Sequence, residues 1–206
     1  RRPSSVDEDR TLQIEAQLAQ IDAAMSDRVA KDERMARRRD ILVSIPGIGE
    51  ATAKALAAAG AKVAVGDLDA DLASQSAQAY GGIGLPLDVT SAESYGAFLD
   101  KVEAEYGRID GLVNNAGIMV IGKHLDVPLD AQLKQVDINL RGVVIGCHAI
   151  APRMVSAGGG QIVNIASLAG RFAAPGCAVY SGTKAGVLAF TEALDAELSP
   201  SGVRVA

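Results

Sequence analysis

The stretch ILVSIPGIGEATAKALAAAGAKVAVGDLD, residues 41–69, contains the alternation that decides the fold. The short run ILVS could form a first strand, and it leads into a turn that contains two glycines. An alanine-rich segment follows, and a second apolar run at residues 63–65 leads to Asp67. Short β-branched runs are typical of buried strands, and longer alanine-rich segments are typical of helices. The stretch therefore predicts a strand, a turn, a helix and a second strand.

The same alternation continues along the rest of the chain. Further strands are predicted at residues 83–87, 109–113 and 162–165, and another begins at 202–205. Helices are predicted at residues 49–59, 69–79, 91–106, 129–156 and 177–198. Alternating strands and helices favour right-handed crossovers and a parallel sheet. We therefore expect residues 41–206 to form a single α/β domain, a Rossmann-like, doubly wound parallel sheet flanked by helices.

Residues 1–40 differ from the rest of the chain in their pattern. Five apolar residues recur there at spacings of four, three, four and four, and they are Ile14, Leu18, Ile21, Met25 and Val29. This spacing puts them on one face of a helix. We expect an N-terminal helical extension that packs on a neighbouring element.

Composition limits the classes of function. The net charge of −5 and the sequence pI near 5.1 argue against a chain that wraps nucleic acid by bulk charge. Cys147 and Cys177 have no CxxC spacing, and His124 and His148 have no matching ligands nearby, so neither a disulfide framework nor a metal site is expected. The apolar runs are too short and too interrupted for a membrane span. We expect a cytoplasmic location.

The glycine turn at residues 46–49 has two interpretations. In a dinucleotide-binding fold, Gly47, Ile48 and Gly49 would bring backbone N–H groups to a pyrophosphate at the start of a helix. Asp67, 18 residues after Gly49, would then accept hydrogen bonds from the adenosine ribose and favour NAD over NADP. In a helix-hairpin-helix at residues 36–59, the same turn would bind a DNA phosphate.

A second group of residues indicates proton-transfer chemistry. Ser167 ends a predicted strand, and Tyr180 and Lys184 follow thirteen and seventeen residues later. Tyr180 and Lys184 are four residues apart, so they share one face of a helix. An ammonium close to a phenol lowers the pKa of the phenol, which makes Tyr180 a plausible proton donor and acceptor. Ser167 could hydrogen-bond a substrate oxygen.

Several ordered motifs accompany these residues. Asp88 and Val89 lie in LDVT, Asn115, Ala116 and Gly117 lie in LVNNAG, and Asn139 lies in INLRG. With the segment GIGEATAKAL and the spacing of Ser167, Tyr180 and Lys184, they make residues 47–206 resemble the classical short-chain dehydrogenases/reductases.

This resemblance implies hydride transfer between NAD(H) and an alcohol or ketone. Tyr180 would be the general acid/base, Ser167 would orient the carbonyl, Lys184 would bind the ribose, and Asn139 would anchor a proton-relay water. The expected cofactor-binding residues are Gly47, Ile48, Gly49, Asp67, Asp88, Val89, Asn115, Ala116, Gly117, Tyr180 and Lys184. The resemblance also implies a homo-dimer or tetramer that pairs through the helices at 129–156 and 177–198.

The chain departs from this family's pattern at both ends. The glycine turn is two residues shorter than in the family, and Pro46 removes one N–H donor. The chain begins without Met and stops within a predicted strand, so we expect it to be incomplete. Residues 1–55 resemble the helix-hairpin-helix region of insertion-sequence transposases, which suggests a fusion at GIGEATAKAL. A DNA-binding remnant and an inactive scaffold are therefore alternatives to an active enzyme.

Overall fold

The computed structural model describes residues 40–44 and 48–206. Six strands are formed in this part of the chain: β1 (Asp40–Ser44), β2 (Lys62–Asp67), β3 (Ile83–Pro86), β4 (Gly111–Asn114), β5 (Gly160–Asn164) and β6 (Val203–Val205). The α-helices between them are α1 (Ile48–Ala58), α2 (Ala70–Gln78), α3 (Ala92–Tyr106), α4 (Leu129–Val136), α5 (Gly142–Ser156) and α6 (Ala178–Leu198). None of these helices is both long enough and apolar enough to span a bilayer.

The six strands form one parallel sheet in the order β3-β2-β1-β4-β5-β6. The chain first builds outward from β1 to β3 and then returns to β4 on the other side of β1. This reversal between β1 and β4 is the point at which doubly wound sheets open a ligand crevice, beyond the carboxyl ends of the strands. The predicted Rossmann-like fold is confirmed.

The strand β1 bears on the second interpretation of the glycine turn. A helix-hairpin-helix needs a helix before the turn, but Asp40–Ser44 form a strand that pairs with both β2 and β4. The DNA-binding alternative at residues 36–59 is therefore not supported. The predicted helical extension at 1–40 and its transposase-like character fall almost entirely outside the described residues, as does Gly47.

The predicted helix at 129–156 is interrupted. A π-helical turn, Asp137–Arg141, separates α4 from α5, and the N–H of Gly142 reaches back to the carbonyl of Asp137. A π turn widens the helix locally by one residue, and such turns are frequent at functional sites. Helical periodicity alone predicted one helix here, because helical conformation continues without a break from α4 through the π turn into α5.

Local capping fixes where the helices begin. The Asp69 carboxylate accepts hydrogen bonds from the N–H groups of Asp71 and Leu72 at 3.0 Å and so starts α2. The Ser91 hydroxyl accepts from the N–H of Ser94 at 3.1 Å and starts α3. These caps hold the connections after β2 and β3 short and put the strand ends beside the crevice.

Alternating residues of the strands fill two apolar layers, one on each face of the sheet. Val63, Val65 and Val113 pack with α1 and α2. Ala64, Leu112 and Ile162 pack on the opposite face with α3, α5 and α6. Burial on both faces explains why the strands are continuous apolar runs rather than alternating ones.

A buried polar network crosses the second layer. Tyr95 on α3 donates to the Asn114 side chain at 2.7 Å, Asn114 donates to Asn164 at 2.8 Å, and Asn164 donates to Thr191 on α6 at 3.0 Å. The Cys147 thiol of α5 lies 3.4 Å from the Asn114 amide. Burial raises the pKa of Tyr95 and raises that of Cys147 to about 12, so both stay protonated at neutral pH. The network joins three helices to β4 and β5.

An ion pair attaches β6 to α6 and leads to a pH prediction. Arg204 donates twice to the Asp195 carboxylate, at 2.8 and 2.9 Å, and the N–H of Val205 donates to it at 2.8 Å. These hydrogen bonds lower the pKa of Asp195 from 3.8 to about 2. The folded state therefore binds this proton more weakly than the unfolded state, and the resulting stability is present above about pH 4 and lost as the pH falls toward 2.

We therefore expect Asp195→Asn to lower the free energy of unfolding by about 1 kcal/mol at neutral pH, after allowance for partial solvent exposure. The difference between wild type and variant should shrink as the pH falls toward about 2.5. Urea unfolding of both proteins at several pH values measures this difference in the free energy of unfolding. A difference that stays constant with pH would show that the Asp195 charge is not its source.

Candidate active site

The functional side chains predicted from the sequence converge at the carboxyl ends of β4 and β5. Asn115, Ala116 and Gly117 directly follow β4, and Ser167 lies three residues after β5. Parallel neighbouring strands end at the same edge of the sheet, so these two connections lie side by side. Helix α6 begins at Ala178 and brings Tyr180 in its first turn to the same edge.

Tyr180 and Lys184 lie on one face of α6, as predicted. The Lys184 ammonium lies 5.9 Å from the centroid of the Tyr180 ring and donates to the carbonyl of Ile165 at 2.6 Å. The Lys184 residue is only 4% exposed, whereas Tyr180 is half-buried. A buried ammonium needs polar partners to hold its charge, and the carbonyl just beyond β5 is one of them. The geometry thus fixes a cation next to the phenol.

Ser167 is both a cap and a candidate substrate ligand. Its hydroxyl oxygen accepts from the N–H of Ala169 at 3.2 Å and caps a short 3-10 turn, Leu168–Gly170. A hydroxyl that accepts one hydrogen bond still has its own O–H to donate. The Ser167 residue is only 9% exposed, and its hydrogen bond to the turn holds its hydroxyl in place.

Asn139 connects the parts of the site through its side chain. It lies in the π turn and is fully buried. Its oxygen accepts from the N–H of Ile118 at 2.7 Å, and its amide donates to the Ile118 carbonyl at 2.8 Å and to the Thr183 hydroxyl at 3.3 Å. Thr183 in turn donates to the Tyr180 carbonyl at 2.8 Å. Asn139 therefore ties the connection after β4 to the first turns of α6.

Gly117 lies close to two of the predicted catalytic side chains. A Cβ at this position would lie 3.3 Å from the Asn139 side-chain oxygen and 3.6 Å from the Lys184 ammonium. The backbone of Gly117 thus runs directly past two of the predicted catalytic residues.

A cavity of about 620 Å³ opens beside this group, along the ends of β2, β3 and β4. The predicted cofactor-binding residues in its lining are Asp67, Asp88, Val89, Ala116 and Gly117. The cavity also contains the carboxylates of Asp130 and Asp137 and the single cation Lys134, and no described arginine lines it. Its size and position at the strand reversal fit a nucleotide.

The polar groups of this cavity have defined local contacts. Asp67 is the last residue of β2, and its carboxylate accepts from the N–H of Asp69 at 3.0 Å. Asp88 accepts from the N–H and the hydroxyl of Thr90, at 2.9 and 2.7 Å. Both carboxylates are therefore oriented by the chain that follows them.

The remaining predicted cofactor residues lie elsewhere. Ile48 and Gly49 are the first two residues of α1 and are not part of the cavity lining, and neither are Asn115, Tyr180 and Lys184. Sequence reasoning did not single out Thr183 or Ile118. Thr183 directly precedes Lys184 and Ile118 directly follows Gly117, but only the folded chain shows that Asn139 connects them.

Comparison with known proteins shows which family this chain resembles. The family model described as short chain dehydrogenase matches residues 43–206. A protein named "Probable oxidoreductase EphD" from Mycobacterium tuberculosis is 42% identical over 175 residues, which are 80% of this chain and 29% of that protein. D-threitol dehydrogenase from Mycolicibacterium smegmatis is 41% identical over 164 residues, which are 77% of this chain and 63% of that enzyme.

A solved structure gives the same result. A short-chain type dehydrogenase/reductase from Mycobacterium marinum superposes with a TM-score of 0.76 at 34% identity, over 81% of this chain and 70% of that one. The chain spans less than two thirds of the length of the two sequence relatives described above.

Proposed function

This chain belongs to the short-chain dehydrogenase family, and we propose that it transfers a hydride between NAD(H) and an alcohol or carbonyl substrate. The observation that carries the proposal is the buried ammonium of Lys184 beside the Tyr180 ring, in a site that also contains Ser167 and Asn139. A positive charge next to a phenol stabilises the phenolate, which makes proton exchange at neutral pH easier.

The residues have separate roles in this proposal. When bound, NADH would supply the hydride that reduces the carbonyl carbon. The Tyr180 hydroxyl gives its proton to the carbonyl oxygen, and in the reverse direction the phenolate takes the proton of the alcohol. The Ser167 hydroxyl donates to the same oxygen and orients it. Lys184 would hold the nicotinamide ribose, and Asn139, held in the π turn, would anchor the water that returns a proton to Tyr180.

The substrate is proposed by class. Similar proteins carry names such as D-threitol dehydrogenase and 3-alpha-(or 20-beta)-hydroxysteroid dehydrogenase, which indicate a secondary alcohol or the matching ketone. We also propose a homo-oligomer that pairs through α4, α5 and α6. Exposed apolar residues on α4 and α5 support such a contact, and they are Leu129, Leu133, Val136, Val144 and Val155.

We propose NAD as the cofactor rather than NADP, with Asp67 on the adenosine ribose and Asp88 and Val89 beside the adenine. The charges of the cavity support this choice. Asp67 lies at the end of β2, where the ribose is expected, and the other carboxylates add to the negative charge. The 2′-phosphate of NADP would lie near these negative charges, and no arginine among the described lining residues would offset them. Electrostatic repulsion of this kind disfavours NADP.

We expect NADH to bind more tightly than NADPH, and Asp67→Asn to strengthen NADPH binding by roughly tenfold, since one repulsive charge pair is removed. Fluorescence titration of the purified chain with each cofactor measures the two dissociation constants. Asp71→Asn is the matched control, because this exposed carboxylate lies four residues away and does not line the cavity. Wild-type chain that binds NADPH as tightly as NADH would contradict the proposal.

A further inference from the structure

Three buried amide side chains hold the connection after β4. Gln132, Gln135 and Asn139 recur at spacings of three and four residues, so they share one face of α4 and the π turn. They are 7%, 1% and 0% exposed. All three side chains are directed at residues 118–127 of the same connection, which we name the β4–α4 loop. Three buried amide side chains therefore form hydrogen bonds with the backbone of one loop.

The contacts made by the two glutamines are with backbone atoms. Gln135 accepts through its side-chain oxygen from the N–H of Val120 at 3.0 Å. Gln132 donates through its amide to the carbonyls of His124 and Val127, at 3.0 and 2.8 Å. Together with the Asn139 contacts at Ile118, these bonds hold the loop at four positions along its length.

The two glutamines use opposite ends of the same amide group. The N–H of Val120 needs an acceptor, so Gln135 must present its oxygen. The carbonyls of His124 and Val127 need donors, so Gln132 must present its nitrogen. The backbone partners therefore fix both amide orientations, and substitutions that keep only the acceptor will affect the two positions differently.

The β4–α4 loop contacts both the cofactor cavity and the segment between Ser167 and Tyr180. Ile118, at its start, lines the cavity. Met119 and Ile121 follow as exposed apolar side chains, 38% and 49% exposed. The N–H of Gly122 donates to the carbonyl of Gly176 at 2.9 Å, and Gly176 lies on the segment between Ser167 and Tyr180. The loop is therefore attached to the segment that leads into α6.

We propose that Gln132 and Gln135 are positioning residues of the reaction. They hold the β4–α4 loop so that Met119 and Ile121 form a wall against the body of the substrate. This inference rests on the proposed function. Neither glutamine touches the reacting atoms in the proposed reaction. Each acts through its hydrogen bonds to the backbone of the loop.

A wall that contacts the substrate body is expected to act on binding. Such a contact is the same in the ground state and in the transition state, so its loss raises KM and leaves kcat almost unchanged. A general loss of folding would instead lower the active fraction and the apparent kcat. The division between KM and kcat therefore separates the positioning role from a purely structural one.

The experiment compares four variants with the wild-type chain: Gln135→Leu, Gln135→Glu, Gln132→Leu and Gln132→Glu. NADH-dependent reduction is measured with cyclohexanone, acetophenone and dihydroxyacetone, and the fastest of the three gives KM and kcat. Hydrogen exchange at the Val120 amide is followed by NMR, and NADH affinity by fluorescence. Gln75→Leu is the control, because Gln75 is exposed on α2, a helix of the opposite face of the sheet.

Both leucine variants should raise KM about tenfold with kcat within about threefold, since each leaves buried backbone groups without a partner. Gln135→Glu keeps the acceptor and should restore KM and the slow exchange of Val120. Gln132→Glu loses the donor and should behave like Gln132→Leu. Gln75→Leu should change nothing.

Two results would overturn the inference: an equal effect of Leu and Glu at position 135, or a fall in kcat with KM unchanged. A chain that binds NADH but reduces none of the three ketones would overturn the proposed function instead. In that case, Val120 exchange that is equally slow in wild type and Gln135→Leu would still reject the role of Gln135, and fast exchange in the variant would support it.

Discussion

Replacing Tyr180 with Phe is expected to lower kcat by about 10²–10⁴-fold, the range that a positioned general acid or base contributes. The substitution removes only the hydroxyl that exchanges the proton. The ring beneath the Lys184 ammonium remains, and so does the backbone carbonyl that accepts from Thr183. The dissociation constant of NADH should therefore change far less than kcat, because Tyr180 does not line the cofactor cavity.

Steady-state kinetics with the best ketone of the panel, together with NADH titration, measure the Tyr180→Phe effect. Tyr106→Phe is the matched control. Tyr106 lies at the end of α3, away from the site. The Lys62 ammonium lies 5.3 Å from the centroid of its ring. The kcat of Tyr106→Phe should stay within about twofold of wild type, since Tyr106 lies outside the site and the ring that packs on the core is kept. Residual activity of Tyr180→Phe close to wild type would assign the proton step to another group.

The second large effect is expected at Gly146 on α5. A Cβ at this position would lie 2.5 Å from the Asn114 side-chain oxygen and 2.5 Å from the Tyr95 hydroxyl. Both atoms belong to the buried polar network and already bond each other at 2.7 Å. An added methyl must therefore displace a buried hydrogen-bonded pair. Overpacking and the broken bond together should cost about 3 kcal/mol of stability.

Gly146→Ala should accordingly lower the melting temperature by roughly 6–12 °C for a chain of this length. The control is Gly96→Ala on α3, where nothing lies within 4 Å of the added Cβ. That change should raise stability by about 0.5–1 kcal/mol, since alanine is the better helix former. Calorimetry or circular dichroism on both variants checks the pair. The shifts in melting temperature of the two variants need not be equal in size. A Gly146→Ala variant as stable as wild type would mean that the network does not constrain α5.

The sequence carried enough information for the sheet and for the group around Tyr180. Strand runs such as residues 63–65 are continuously apolar because both faces of the sheet are covered, and this pattern is readable without a structure. Asp69 was recognisable as a cap because an Asp before a helix satisfies free N–H groups locally. Tyr180 and Lys184 meet through helix geometry alone.

The contacts that complete the site were not readable in this way. Asn139 was singled out by its motif, but its bonds to Ile118 join residues 21 positions apart. Gln132 and Gln135 look like ordinary polar residues of an exposed helix, and no local rule distinguishes a buried amide from a solvated one. The π turn that orients Asn139 adds a single residue to a helical turn. Such features depend on the folded environment rather than on local spacing.

Asn114 and Asn164 occupy directly paired positions at the ends of β4 and β5, and their side chains are joined at 2.8 Å. A slip of one residue between these strands would shift them by about 3.3 Å and turn every side chain to the other face. The amides would then no longer meet, whereas valines and isoleucines tolerate many alignments. Because Gly117 and Ser167 are attached just beyond these strand ends, we infer that the pair works as an alignment key: it sets the spacing of the two halves of the catalytic centre, where an error of about 1 Å is already costly.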